Sequence, residues 1–114
     1  MRKIDRLFQL AFRHNKPFKR KSREIRVVLD AYGYWISTVG LIHRNYIVRK
    51  DSTGMYIRDA GWRTPLTLKT IRVCLPEGCS FTKWSITRGN CTTEPTSNRD
   101  WTMVPVKDQW GVPL

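Results

Sequence analysis

Three cysteines and two histidines are the side chains of this sequence best suited to hold a metal ion. Four residues separate Cys74 from Cys79, and eleven separate Cys79 from Cys91. The sequence contains no C-x2-C pair of the kind found in structural zinc sites. Both histidines, His14 and His43, lie far upstream. The spacing therefore indicates ordinary buried thiols, and we expect no metal site and no cofactor.

Motifs that would support catalysis are absent from the sequence. It contains no glycine-rich phosphate loop, no H-E-x-x-H pair and no G-x-S-x-G nucleophile turn. A thiol such as Cys79, or an aspartate, could pair with His43 for acid–base or nucleophilic chemistry, but nothing in the sequence brings those atoms together. We therefore expect that this protein is not an enzyme.

Lysine and arginine are the side chains whose number is unusual. They total 21 against 9 acidic residues, which gives a net charge of +12. Such an excess opposes compaction by self-repulsion, and the usual compensation is a polyanionic partner. Nine of these cations, with Asp5 as the only acid, fall within residues 1–23. The charge predicts a nucleic acid or an acidic protein surface as the partner.

Two groups of cations are the candidate phosphate contacts. One group lies in the basic N-terminal segment, and the other is interleaved with the aromatic residues of the middle of the chain. A sheet that carries aromatic and basic side chains can stack on bases and neutralise phosphates. The predicted nucleic-acid contacts are Lys16, Lys19, Arg20, Lys21, Arg23, Arg44, Arg49, Lys50 and Arg58.

Hydrophobic spacing predicts the helices that position these residues. Ile4, Leu7, Phe8, Ala11 and Phe12 recur at helical intervals, which indicates an amphipathic helix over 2–14. Further on, Thr64-Pro65 has the residue types of an N-cap followed by the first helical position. We expect a second helix of about ten residues there.

Alternating apolar residues predict the strands. We expect one strand or a pair over 25–38, a second strand over 41–50, a turn over 51–54, a return strand over 55–59 and a last strand over 81–88. The predicted core is Ile25, Val27, Leu29, Ile36, Leu41, Ile47, Ile57, Leu68, Ile71 and Trp84.

Together these elements predict an α+β fold. We expect a small, mostly antiparallel sheet of three to five strands, an N-terminal amphipathic helix, one further short helix and an extended C-terminal tail. The predicted organisation is a basic helix and arm over 1–23, a globular domain over 24–91 and a tail over 92–114. Trp101 and Trp110 of that tail are the predicted protein-binding residues.

Cellular setting is predicted from the cysteines and from hydropathy. An odd number of cysteines and the lack of a secretory apolar segment favour a reducing, cytoplasmic location. No apolar run is long enough for a transmembrane helix.

Our first functional interpretation is a small, non-enzymatic nucleic-acid-binding protein. Short, basic, tryptophan-containing chains without catalytic motifs also resemble accessory proteins of bacteriophages and other viruses. That resemblance implies a second interpretation, in which the chain binds and inhibits or redirects a host protein through an acidic groove. A third is a structural component of a ribonucleoprotein or a virion.

Overall fold

Two helices and two antiparallel sheets make up the part of the fold that the structure describes. The computed structural model describes residues 2–61, 63–89, 91–94 and 101–105. Within them the helices are α1 (Lys3–Arg13) and α2 (Pro65–Cys74), and the strands are β1 (Phe18–Arg20), β2 (Arg23–Leu29), β3 (Trp35–Ile42), β4 (Asn45–Asp51), β5 (Gly54–Ile57), β6 (Cys79–Thr82), β7 (Ser85–Arg88), β8 (Cys91–Thr93) and β9 (Thr102–Met103).

The larger sheet has six strands in the order β1-β2-β3-β4-β5-β9, and the smaller has three in the order β6-β7-β8. All neighbouring strands are antiparallel. The predicted α+β class with two helices and a mostly antiparallel sheet is confirmed. The predicted count of three to five strands is too small.

Strands β1, β8 and β9 were not predicted, and two turns that the sequence did not signal divide predicted strands. Residues 41–50, expected as one strand, are interrupted at His43 and Arg44, and residues 81–88 are interrupted at Lys83 and Trp84. All four turn residues have positive φ, between 49° and 67°. Two-residue hairpin turns of this geometry favour Asn-Gly or Asp-Gly. His-Arg and Lys-Trp are not such pairs, so the sequence did not predict a turn at either position.

Both predicted helices are present. The apolar face of α1 buries Phe8 and Phe12 against the larger sheet, so this helix is part of the globular fold. Helix α2 begins where the capping pattern predicts: Thr64 Oγ1 accepts a hydrogen bond from the Thr67 backbone N–H at 3.2 Å. The basic segment after α1 is also part of the fold, because β1 pairs with β2.

The core lies between α1, α2 and one face of the larger sheet, and the smaller sheet contributes Phe81 and Ile86 to it. Gly40 in β3 allows α1 to approach this face, since a Cβ atom there would lie 3.0 Å from Phe8 Cζ. Two predicted core residues are instead exposed: Leu29 by 53% and Ile36 by 48%. At the end of α1, the Thr38 hydroxyl donates a hydrogen bond to Asn15 Oδ1. The β2–β3 hairpin continues past this point, and its tip extends into solvent.

Candidate nucleic-acid interface

The face of the larger sheet that is turned away from the helices carries the candidate site. Strand register places Arg26, Val39, Arg49, Tyr56 and Met103 in one row across five strands. Side chains alternate between the faces of a strand. The neighbouring row, which includes Gly40, meets α1, so this row lies on the opposite face.

Trp101 is the centre of a stack on this face. The guanidinium carbons of Arg49 and Arg58 lie 5.0 and 4.8 Å from the centre of its ring. Arg49 is also 4.6 Å from the ring of Tyr56. These distances fall within the range of cation–π attraction, so the two arginines and two rings hold one another in place.

The stack continues toward β2 through Tyr46. Its ring centre lies 5.9 Å from the guanidinium carbon of Arg58 and 6.0 Å from that of Arg26. Arg58 also donates a hydrogen bond from Nε to the Tyr46 carbonyl oxygen at 2.7 Å. Cations and rings therefore alternate across the sheet, in an arrangement that we call the stacked ladder: Arg26, Tyr46, Arg58, Trp101, Arg49 and Tyr56.

An apolar floor lies beneath the ladder. Val39 and Leu41 are both buried but are not part of the cluster that packs against the helices. Val39 pairs with both Arg26 and Arg49, and Leu41 pairs with Tyr46. Arginine stems cover apolar surface while their charged ends stay in water, so the floor helps to fix the ladder side chains.

A β-bulge brings Tyr46 and Arg49 to the same face. Val48 pairs with Gly40 and Tyr46 pairs with Leu41, which leaves Ile47 as an extra residue in β4. Both Ile47 and Val48 are consequently buried in the core. Without the extra residue, positions 46 and 49 would point to opposite faces.

Two carboxylates lie at the margins of the ladder. Arg26 donates hydrogen bonds to both oxygens of Glu24, at 2.8 and 3.3 Å, and the bonds from Arg26 lower the pKa of Glu24. Asp51 Oδ2 lies 3.7 Å from Arg49 Nε, beyond hydrogen-bond distance. The hydroxyl of Thr53 lowers the pKa of Asp51. With three arginines against these two acids, the ladder retains a positive charge.

A polar cleft of about 500 Å³ adjoins the ladder at Arg26. The turn between β3 and β4 forms one wall, and the turn between β1 and β2 forms the other. A hydrogen bond of 2.8 Å from the His43 backbone N–H to the Ser22 carbonyl joins these turns. We call it the basic cleft; its lining residues are Lys19, Lys21, Ser22, Glu24, Arg26, His43 and Arg44.

Most of the predicted phosphate contacts lie on the surface. Lys16, Lys19, Arg20, Lys21 and Arg44 are exposed, and three of them line the basic cleft. The stacked ladder contains two more, at positions 49 and 58. The fold therefore brings five of the nine predicted cations to the cleft or the ladder, although they come from distant parts of the chain.

Arg23 and Lys50 do not belong to this surface. Arg23 is only 5% exposed and forms an ion pair with the buried carboxylate of Asp5. Lys69 lies 2.9 Å from the other oxygen of Asp5, so the cluster joins α1, β2 and α2. Burial raises the pKa of Asp5, but hydrogen bonds from the two cations outweigh it and hold the pKa below 3.8.

Lys50 lies on the helix side of the sheet. Its Nζ donates to the Arg13 carbonyl at 3.0 Å and lies 5.0 Å from the centre of the Phe12 ring. Burial lowers its pKa. Lys50 follows Arg49 directly in β4, so the two side chains point to opposite faces of the sheet. A ligand on the ladder that contacts Arg49 therefore cannot also contact Lys50.

The sequence analysis did not predict Arg26 as a nucleic-acid contact, and it assigned Trp101 to protein binding. Arg26 was not among the predicted contacts, although it joins the cleft to the ladder. Trp101 was predicted to bind a protein from an extended tail. In the structure it lies beside β9, which pairs with β5. Trp110 lies outside the described residues.

Other kinds of site have less support in the part of the chain that the structure describes. Cys74, Cys79 and Cys91 have free thiols there, and burial raises the pKa of Cys74 and of Cys79. No three metal-ligating side chains cluster among those residues. None of the described helices is long and apolar enough to cross a bilayer.

This chain matches no protein-family model, no curated protein and no solved structure.

Proposed function

We propose that this protein is a non-enzymatic nucleic-acid-binding protein that holds a single strand across the stacked ladder. The alternation of three arginines with three aromatic rings on one sheet face is the observation that carries this proposal. Unpaired bases stack on aromatic rings and guanidinium planes, and each stacked base contributes about 1–3 kcal/mol.

The basic cleft supplies the second half of the interaction. Lys19, Lys21 and Arg44 line it and would neutralise the phosphates of a strand that leaves the ladder at Arg26. Neutralised phosphates release counterions, which makes affinity fall steeply with salt. The ladder would then supply stacking without strong sequence preference, and the cleft would supply charge.

A single strand suits this surface better than a duplex. Tyr46, Tyr56 and Trp101 each keep part of their surface exposed, and an unstacked base can reach that surface. In a duplex the base planes are covered by their neighbours, and a protein reaches only base edges and phosphates. We therefore expect a single-stranded oligonucleotide to bind more tightly than a duplex of the same sequence.

The test is fluorescence anisotropy with labelled single-stranded DNA, single-stranded RNA and duplex DNA across a salt series. The first variant is Lys19→Ser/Lys21→Ser/Arg44→Ser, which removes three charges from the cleft. Each lost phosphate contact should reduce the slope of log affinity against log salt by about 0.7 for a single strand. We expect a reduction of about 2 in total.

The matched control removes three exposed charges from the N-terminal end of α1 and the residue before it. Arg2, Lys3 and Arg6 are all exposed and lie on the other side of the sheet, so Arg2→Ser/Lys3→Ser/Arg6→Ser has the same net charge as the cleft variant. This control should keep the slope of the original protein. Equal losses in both variants would mean that only overall charge matters. No binding to any oligonucleotide would refute the proposal and leave an acidic protein or a particle component as the partner to test.

A further inference from the structure

The tip of the β2–β3 hairpin carries an exposed apolar patch. Tyr32 is 87% exposed, and Leu29 and Ile36 are about half exposed. Large exposed apolar surface on a soluble fold usually marks an interaction site. We call this surface the hairpin patch; it consists of Val28, Leu29, Tyr32, Tyr34, Trp35 and Ile36.

The patch is held in a defined shape. Asp30 Oδ1 accepts hydrogen bonds from the backbone N–H groups of Tyr32 and Tyr34, at 2.8 and 2.9 Å. The Asp30 N–H donates to the Tyr34 carbonyl at 2.8 Å. On the helix side of the sheet, Trp35 Nε1 donates to Thr38 Oγ1 at 2.8 Å. A preformed apolar surface loses little conformational entropy when it is covered.

The charge of the patch differs from that of the rest of the molecule. Residues 27–38 contain one acid, Asp30, and no lysine or arginine, although the chain carries a net charge of +12. An anionic partner would be attracted to the basic cleft or the ladder instead. The hairpin patch is a surface where two copies of this basic chain can meet without bringing cations face to face.

A free strand edge lies directly beside the patch. Strand β1 pairs with β2 only over Arg23–Ile25, so within the described residues no strand pairs with the outer edge of 26–29. A shallow groove runs along this edge. Pro17, Phe18 and Val28 are among its lining residues, and so is Arg26, whose charge is paired with Glu24. Unpaired strand edges present backbone donors and acceptors to a further strand.

We propose that the hairpin patch is the contact between two copies of this chain, which pair antiparallel through the free edges of their β2 strands. Antiparallel edges are self-complementary, so a two-fold axis satisfies both copies at once. Leu29 and Ile36, which follow the spacing of core residues but lie beyond α1, would be covered by the partner.

The pairing has a geometric consequence for the stacked ladder. A two-fold axis between antiparallel edge strands runs perpendicular to the sheet, so the same face of each copy points in the same direction. The two ladders would then form one continuous surface. A long strand that contacts both copies would gain affinity from effective concentration. The dimer itself does not depend on whether the ladder binds nucleic acid.

Sedimentation velocity over a concentration series, on protein freed of nucleic acid, tests the dimer. We expect the mass to rise from 13.4 kDa toward twice that value. The dimer should tighten as salt increases, because screening weakens the repulsion between two positively charged chains. An assembly held together by a residual polyanion would instead dissociate at high salt.

The variant Leu29→Lys/Ile36→Lys places two charges in the patch, at positions that are already exposed. It should keep its circular dichroism spectrum and its melting temperature, and remain at 13.4 kDa throughout the series. The control Ser80→Lys/Thr82→Lys adds the same charge to exposed positions of β6 and should dimerise like the original protein.

Two results would overturn the proposal. One is a monomer at every concentration and salt; the other is a patch variant that dimerises as well as the control.

Cosedimentation with phosphatidylcholine/phosphatidylserine vesicles tests whether the hairpin patch binds a lipid surface instead of a second copy. If the original monomer binds vesicles through the patch and the variant does not, the surface contacts lipid rather than a second copy. If the original protein dimerises but binds no oligonucleotide, that result would count against the proposed function and would not contradict the dimer.

Discussion

Trp101→Ala tests the ladder at its centre. The substitution removes the ring that lies 5.0 Å from Arg49 and 4.8 Å from Arg58, and it changes no charge. Two cation–π contacts contribute about 0.5–1 kcal/mol each at exposed sites, so the free energy of unfolding should fall by about 1–2 kcal/mol. Losing one stacking platform should cost about 1–3 kcal/mol in binding, or about 5- to 150-fold in affinity for single strands.

Anisotropy at several salt concentrations measures the effect, at a temperature where the variant is fully folded. The slope of log affinity against log salt should not change, because the same phosphates are neutralised. Trp84→Ala is the matched control. Its ring is also partly buried and lies 5.1 Å from a guanidinium, that of Arg63, but it belongs to the β6–β7 turn. Because its ring also packs edge-on against Phe81, with ring centres 5.4 Å apart, Trp84→Ala should lose at least as much stability and keep full affinity.

Three results would refute this reasoning. Unchanged affinity in Trp101→Ala would remove the ring from the interface. Equal affinity losses in both tryptophan variants would point to a general loss of stability. A smaller salt slope would mean that the substitution displaced the cations rather than a stacking platform.

Three further predictions concern the fold. The pKa of Asp5 is near 3.8 in the unfolded chain and lower in the folded protein. The ionised carboxylate therefore stabilises the fold above pH 3.8, and this stabilisation is lost as the pH falls through the folded pKa. In Asp5→Asn, the free energy of unfolding should depend less on pH in this range. The same variant leaves Arg23 buried without its counter-ion and should lose about 3–5 kcal/mol at neutral pH by urea denaturation. Thr64→Ala removes the α2 cap and should lose about 1 kcal/mol in the same assay. Gly40→Ala forces a methyl group into Val48 and should lower stability by about 1–3 kcal/mol, with a melting temperature that stays unchanged as the contrary result.

The helices could be predicted because their signals are local. Helix α1 follows from the spacing of its apolar residues, and α2 begins at the cap that Thr64 and Pro65 specify. The hairpin turns at 43–44 and 83–84 could not be found in the same way. Their positive φ angles are carried by residues that do not favour them, and the surrounding strand pairing determines them.

The candidate site was predictable only in part. Arg49 and Arg58 were predicted because they are interleaved along the chain with aromatic residues, which is also a local signal. Lys50 could have been excluded from the face of Arg49 by strand alternation alone. The burial of Arg23 depends on Asp5, eighteen residues earlier. Trp101 reaches the ladder only because β9 pairs with β5, which no local pattern signals.

The position of β9 has a consequence for protein synthesis. The first five strands follow one another along the chain and can pair as they emerge, but Trp101 is made long after them. A nascent chain must be synthesised through β9 before the centre of the ladder can form. The ribosome therefore produces the cations of this surface first and Trp101 last, so the stacked ladder is completed only after β1 to β5 have been synthesised.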